Sequence, residues 1–457
     1  MQGRAWEDSW RREDSWRMEG LTVLPAAGEP AFRGGIETVA GAIADLGPTL
    51  PPPPPGMRIL DGRGLIAFPG FVQAHIHLCQ TLFQGLAEGR RLDRWLCERI
   101  WPLEAAHDAE SMRASARLGI TRAALHGATA LLDMGTVSHT TVIAEEVEAS
   151  GIRAIVGKAL MDDGVDTPAP LRQDPAEALR DALALHDRWQ GRGGGRLGVA
   201  LAPRFTLSVS AGLWREIAAE ARRRSLLVHT HVSETPWENE TCRSLHGTSP
   251  IRALENWGVL EARAALVHAI WIDEEERAIL ARRRTALVHC PGSNAKLGSG
   301  IAQVPEWLAS GIPVALGSDG SACNDDLSLP AEMRLAAQMQ ALAAGPGILA
   351  PREIFGMATR GGAQAMGLEN GIGSLAPGRR ADLVLYREED LAWPSDLSFE
   401  QKLVHASAGI RPRAVYVDGK PIVLDGRLVA WDEEEIVREA EIQRLRLLAR
   451  MQGRDCV

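Results

Sequence analysis

The sequence predicts an α/β chain: a (β/α)8 TIM-like barrel with a small β-sandwich formed by the N- and C-terminal segments. Three observations predict it. Between Phe68 and about Met366, eight short apolar runs alternate with Ala/Leu/Arg/Glu-rich stretches of helical period. Unusual polar residues, mostly histidines, stand at the ends of those runs. On either side of this region the chain breaks into short strand-like and turn-like pieces instead. With 457 residues, the chain is long enough for one large domain plus an appendage. We therefore expect residues 1–67 and 371–457 to supply the sandwich, the latter with a terminal helix, and residues 68–370 to form the barrel. A doubly wound open sheet is the structural alternative.

Taken in order, the first twenty residues, "MQGRAWEDSWRREDSWRMEG", are charged throughout and lack the apolar core of a signal peptide. No apolar run reaches the roughly 18 residues of a membrane span. A cytoplasmic location and no membrane partner are expected. Residues 20–67 read as short strands around the proline run Pro51 to Pro55, which can only be an extended spacer. The eight runs follow: "FVQAHIH", "ATALLDM", "IRAIVGKALM", "LGVALAPRF", "LLVHTHVSE", "AALVHAIWI", "TALVHCPGSN" and "PVALGSDGS". In a barrel their C-terminal ends meet at one mouth, where function lies. "GIGSLAPGRRADLVLY" and "RAVYVDGKPIVLDGRLVA" then return to strands and hairpins, and Asp432 to Gln452 has helical composition.

The formal charge is −9 and the basic residues are scattered, which excludes a nucleic-acid or anionic-membrane surface as the main partner. A small-molecule substrate is expected, acted on by a homo-oligomer. The six cysteines are far apart with no Cys-x-x-Cys pair, so they read as structural thiols.

His75 and His77 close the first run; His229, His231 and Glu234 close the fifth; His268, His289 and Asp319 close the last three. In a strand, positions i and i+2 share a face, so His75 and His77 stand side by side. Each of these residues alone has an ordinary reading: a hydrogen-bonded core histidine, a turn-forming Asp in "GSDGS", a helix-start Glu. Together they gather potential metal ligands at one sheet edge with no structural need. His107, His126, His139, His186, His246 and His405 occur singly and are read as structural.

The motifs "PGFVQAHIH", "HVSE", "VHAIWID", "VHCPGSNAKLGSGIAQVPEWLASGIPVALGSDGSACND" and "GSLAPGRRADLVL" occur in an order that resembles the amidohydrolase superfamily, in its aminohydrolase branch. The resemblance implies that His75, His77, His231 and Asp319 hold one divalent ion, with zinc favoured and iron also suited to these ligands. Binuclear relatives use a carboxylated lysine at the end of the fourth strand, and "ALAPRFT" has none. Lys158, ending the third strand, is the nearest lysine. The family's His-x-x-Glu pattern fits only His231 with Glu234, which leaves His229 behind the ligands. By the same resemblance Glu234 is the proton shuttle, Asp319 accepts a proton from the attacking water, and His268 steadies the intermediate.

For the substrate, "HLCQTLFQGLAEGRRLDRWLCERIWPLEAAH" resembles both the 5'-deoxyadenosine, methylthioadenosine and S-adenosylhomocysteine deaminases and the hydroxyatrazine-type triazine aminohydrolases. In the former, the counterpart of Glu104 binds the ribose hydroxyls. Arg204 and Lys158 depart from the histidine and arginine found in several nucleoside members. Both are expected to face substrate, the alternative being ion pairs with Asp162 or Asp163. His289 and Asn294, in "HCPGSN", are expected to line the pocket. The leading expectation is deamination of a 5'-modified adenosine to the inosine analogue. A hydroxytriazine or other aminopurine or pterin is the second, and a non-catalytic scaffold the third.

Overall fold

The computed structural model describes residues 15–164, 167–391, 394 and 396–453. The first fourteen residues of the charged N-terminal stretch and Cys456 lie outside the described residues. Five strands come first: β1 (Trp16–Val23), β2 (Phe32–Val39), β3 (Ala42–Gly47), β4 (Arg58–Asp61) and β5 (Leu65–Pro69). They belong to a mixed sheet that the C-terminal segment completes.

Eight parallel strands follow: β6 (Phe71–Ile76), β7 (Ala128–Thr136), β8 (Arg153–Leu160), β9 (Leu197–Pro203), β10 (Val228–Val232), β11 (Ala264–His268), β12 (Ala286–His289) and β13 (Val314–Leu316). They are hydrogen-bonded in sequence order, and each corresponds to one of the eight apolar runs. β6, β7 and β12 are buried at every position, as expected of a parallel strand covered on both faces. Five of the helices between them start at side-chain caps, Asp108, Asp174, Ser210, Thr235 and Asp273, each accepting a hydrogen bond from a backbone N–H of the first turn.

The eighth strand returns to the first. Asp319 N donates to His75 O at 3.1 Å, and Ile76 and Asp319 form a parallel bridge. Gly317 makes this approach feasible, since a Cβ there would lie 2.7 Å from the Cβ of His75. The sheet thus closes nearly to a barrel beside the histidines.

The C-terminal strands β14 (Leu383–Arg387), β15 (Ala414–Val417), β16 (Lys420–Leu424) and β17 (Arg427–Leu428) join the first five in the order β17-β16-β15-β14-β5-β1-β2-β3, with β4 paired to β1. The separate mixed sheet from both termini, expected from the sequence, is therefore present, with Trp16, Met18, Ile36, Leu383 and Tyr416 in its core. Where it meets the barrel, Arg153 of β8 donates to both carboxylate oxygens of Asp382, at 2.8 and 3.0 Å, and to Asp418. The terminal helix Glu433–Met451 lies near Ala109–Leu125, with Arg450 donating to Ser111 Oγ. No described helix is long and apolar enough to cross a membrane.

Candidate active site

His75 lies in β6 and His77 directly after it, His231 lies in β10, and Asp319 follows β13. One ligand atom from each falls within 4.8 Å of all the others. His75 Nε2 and His77 Nε2 each stand 3.3 Å from Asp319 Oδ1. His77 Nε2 and His231 Nε2 face each other at 3.2 Å. The His231 Nδ1 proton is committed to the carbonyl of Arg204 at 2.8 Å, because a carbonyl can only accept. Burial pushes the pKa of His75, His77 and His231 down, toward the neutral imidazole that a metal binds. In that state His231 Nε2 offers a lone pair rather than a proton. Three imidazole nitrogens and a carboxylate oxygen converging on one space suit a cation, and the ligand set fits a divalent ion such as zinc.

The surroundings hold these groups in place. His75 Nδ1 meets His229 Nε2 at 2.9 Å, one of the two carrying the proton, so His229 braces His75 from behind. Ser293 Oγ donates to Asp319 Oδ2 at 2.7 Å and Gly320 N to Oδ1 at 2.8 Å. Burial opposes ionisation of Asp319, but the hydrogen bond and charge of His75, with His77 and His268, hold its carboxyl well below the usual range. Glu234 goes the other way. Burial, with Asp319 nearby, raises its pKa, and its Oε1 accepts from Ser299 Oγ at 2.9 Å. Two carboxyl groups with pKa values pushed apart are a signature of acid–base roles.

His268 Nε2 lies 3.6 Å from Glu234 Oε2 and 3.7 Å from Asp319 Oδ2, and its Nδ1 meets Asn294 Oδ1 at 2.9 Å. Ser233, His268, Ala269 and Asp319 all have positive φ, an uncommon conformation outside glycine. Such residues gather where surrounding structure fixes a site.

A narrow cleft opens over these groups, walled by Leu92, Trp95, Leu96, Phe205 and Leu297 and by the polar Gln80, Arg204, Glu234 and Glu238. Glu104 is buried and paired in bidentate fashion with Arg204, at 2.6 and 3.0 Å. Neither ion pair weighed for Arg204 and Lys158 forms. Asp162 instead accepts from the N–H and hydroxyl of Ser210, Asp163 caps Gly164 N, and Lys158 Nζ donates to Ala159 O at 3.1 Å. Asp162 is taken up by the cap of the helix that follows β9, and Asp163 by its own loop.

Lys158, His289 and Asn294 are buried but are not among the residues that line the cleft. Burial lowers the Lys158 pKa to about 8, and burial with the charge of His268 takes His289 to about 3. Sequence reasoning missed Gln80, Trp95, Glu238, Ser293 and Ser299. Gln80 carried the only usable signal, a polar residue three positions after His77 within a buried turn.

The amidohydrolase family pattern matches residues 66–422. A 5-methylthioadenosine/S-adenosylhomocysteine deaminase of Pelotomaculum thermopropionicum is 34% identical over 95% of this chain and 99% of its own length. A zinc-bound adenosine deaminase from Xanthomonas campestris superposes with a TM-score of 0.88 at 27% identity, covering 95% of this chain and 98% of that one. A zinc complex of an atrazine chlorohydrolase from Arthrobacter aurescens gives 0.87 at 26%, covering 94% and 99%. Matched across most of its length by the family pattern and by a relative one-third identical, the chain belongs to the amidohydrolase family.

Proposed function

We propose that the protein is a metal-dependent hydrolytic deaminase that converts a 5'-modified adenosine, such as 5'-deoxyadenosine, methylthioadenosine or S-adenosylhomocysteine, to the inosine analogue and ammonia. The observation that carries this reading is the joint presence, at one mouth, of the His75/His77/His231/Asp319 group and an elevated carboxyl, Glu234, within reach of His268. The methylthioadenosine and adenosine deaminases among its relatives support the nucleoside. We assign His75, His77, His231 and Asp319 as the ligands of one ion, zinc. A divalent ion held by these residues would lower the pKa of a bound water from 15.7 to about 7 and so supply the nucleophile at neutral pH.

The side chains do the rest. Asp319, ionised, takes the proton that the attacking water gives up. Glu234, its carboxyl raised above the usual range by burial, gives its proton to the ring nitrogen beside the amine-bearing carbon as the C–O bond forms. The new hydroxyl then returns a proton to Glu234, the C–N bond breaks, and the amine leaves as ammonia with the proton held on Asp319. His268, fixed by Asn294, steadies the oxygen throughout. The apolar walls exclude water around the base, and the polar side chains of Gln80 and Arg204, backed by Glu104, face the sugar end.

The likeness to an atrazine chlorohydrolase favours a second reading, an aminohydrolase of a hydroxytriazine. Ammonia release by metal-loaded protein separates the two. Turnover of 5'-deoxyadenosine or methylthioadenosine supports the first reading. Inertness toward every adenosine derivative, with turnover of a hydroxytriazine, replaces it with the second.

A further inference from the structure

The floor of the cleft distributes its hydrogen bonds in a way the sequence does not suggest. Gln80 and Arg204 line the cleft, whereas Glu104 does not. Glu104 Oε1 accepts from Gln80 Nε2 at 2.9 Å and from Arg204 Nη2 at 3.0 Å, and Oε2 accepts from Arg204 Nη1 at 2.6 Å. A carboxylate offers about four lone-pair sites. Donors from this chain already fill three of them, two from a cation. Gln80 Oε1, by contrast, is buried with no hydrogen-bond partner among the described residues. Turning that amide over would set its oxygen against the Glu104 carboxylate, so the acceptor stays on the far side. It sits against Gly320, next to Asp319, where an added Cβ would lie 2.2 Å away. Arg204 commits only two of the five guanidinium N–H groups to Glu104.

We propose that Gln80 and Arg204, rather than Glu104, read the ribose hydroxyls. Gln80 Oε1 accepts from one hydroxyl, Arg204 donates to the other, and Glu104 is the positioning residue that locks both side chains. The assignment rests on the adenosine reading above and names the groups that recognise its sugar. A vicinal diol presents an O–H donor and an oxygen acceptor on adjacent carbons. An acceptor and a donor fixed by a single carboxylate complement that pattern. The backbone ties this unit to the metal ligands: Arg204 O accepts the Nδ1 proton of His231, and Gln80 N donates to His77 O at 3.0 Å. Sugar recognition and the reacting centre therefore keep a fixed separation.

The test compares kcat/KM for ammonia release from 5'-deoxyadenosine with its 2',5'-dideoxy and 3',5'-dideoxy analogues. Wild type should prefer the diol by about ten- to hundredfold over each analogue. Gln80→Met, which keeps the chain length and removes the acceptor, should bring one of the two ratios close to one and leave the other. Arg204→Lys should reduce the ratio that Gln80→Met leaves. A wild-type structure with the inosine product bound provides a readout that needs no variant: the hydroxyls should contact Gln80 and Arg204. Diol preference unchanged in Gln80→Met, or both product hydroxyls on Glu104, overturns the proposal while the adenosine reading stands. Wild-type protein inert toward 5'-deoxyadenosine overturns that reading and the proposal with it.

Discussion

Two of the buried ionisable clusters among the described residues are built on opposite plans. At the junction of barrel and mixed sheet, Arg153 and Arg380 face Asp382 and Asp418, and Asp418 N also donates to Asp382. Every charge there meets its opposite. At the barrel mouth, three imidazoles and one carboxylate point their acceptors at a common space, and burial drives the imidazoles toward neutrality. The first, whose charges balance within the chain, joins the barrel to the mixed sheet. The second, whose imidazoles and carboxylate converge on one space, is shaped for a ligand.

The difference can be broken first at the mouth. His77→Ala or Asp319→Ala should abolish both metal retention and turnover, read by elemental analysis and ammonia release. Glu234→Gln should keep the ion yet lose about 10²- to 10⁴-fold in kcat, since an amide cannot relay a proton. Retention of more than roughly a tenth of the wild-type rate, outside that range, would pass the role to another group. At the joint the outcome should be reversed. Asp382→Ala leaves Arg153 buried without its main partner and should cost ~3–5 kcal/mol of stability by denaturant titration. The folded fraction should keep its metal and its kcat.

Two smaller effects sharpen the contrast. His229→Asn removes the brace behind His75 and should weaken metal affinity by about 10- to 100-fold, measured by chelator competition, without preventing turnover at saturating metal. Glu332 accepts from Gly292 N at 2.9 Å and from Asn324, at the turn that carries Ser293 and Asn294. Burial raises its pKa from 4.5 to about 8. A folded-state pKa above the unfolded value gives stability that is full below about 4.5 and lost as pH rises through about 8. Wild type should thus be less stable at about pH 8 than at about pH 5, and Glu332→Gln should narrow that gap in denaturant midpoints.

Much of this was legible in the sequence because of how a parallel barrel is made. Strands buried on both faces read as short apolar runs, so all eight stood out, and residues such as His75 and Asp319 stood out at their ends. Pairings across the fold were not legible. Glu104 and Arg204 lie 100 positions apart, and His75 and His229 lie 154 apart. No local pattern states that Arg204 turns toward Glu104 rather than Asp162. Nothing local marks Ser293 and Ser299 as the partners of Asp319 and Glu234. The charge balance at Arg153 was likewise hidden, since its partners lie in the C-terminal segment beyond the barrel.

The central claim is that the mouth cluster is a one-ion site that drives hydrolysis, and elemental analysis of freshly purified, active protein tests it most directly. One tightly held divalent ion per chain, lost together with ammonia release on chelation and restored with it, is the predicted result. Active protein without metal would contradict the account. So would two tightly held ions per chain, which would bring Lys158 into the site as a bridging ligand.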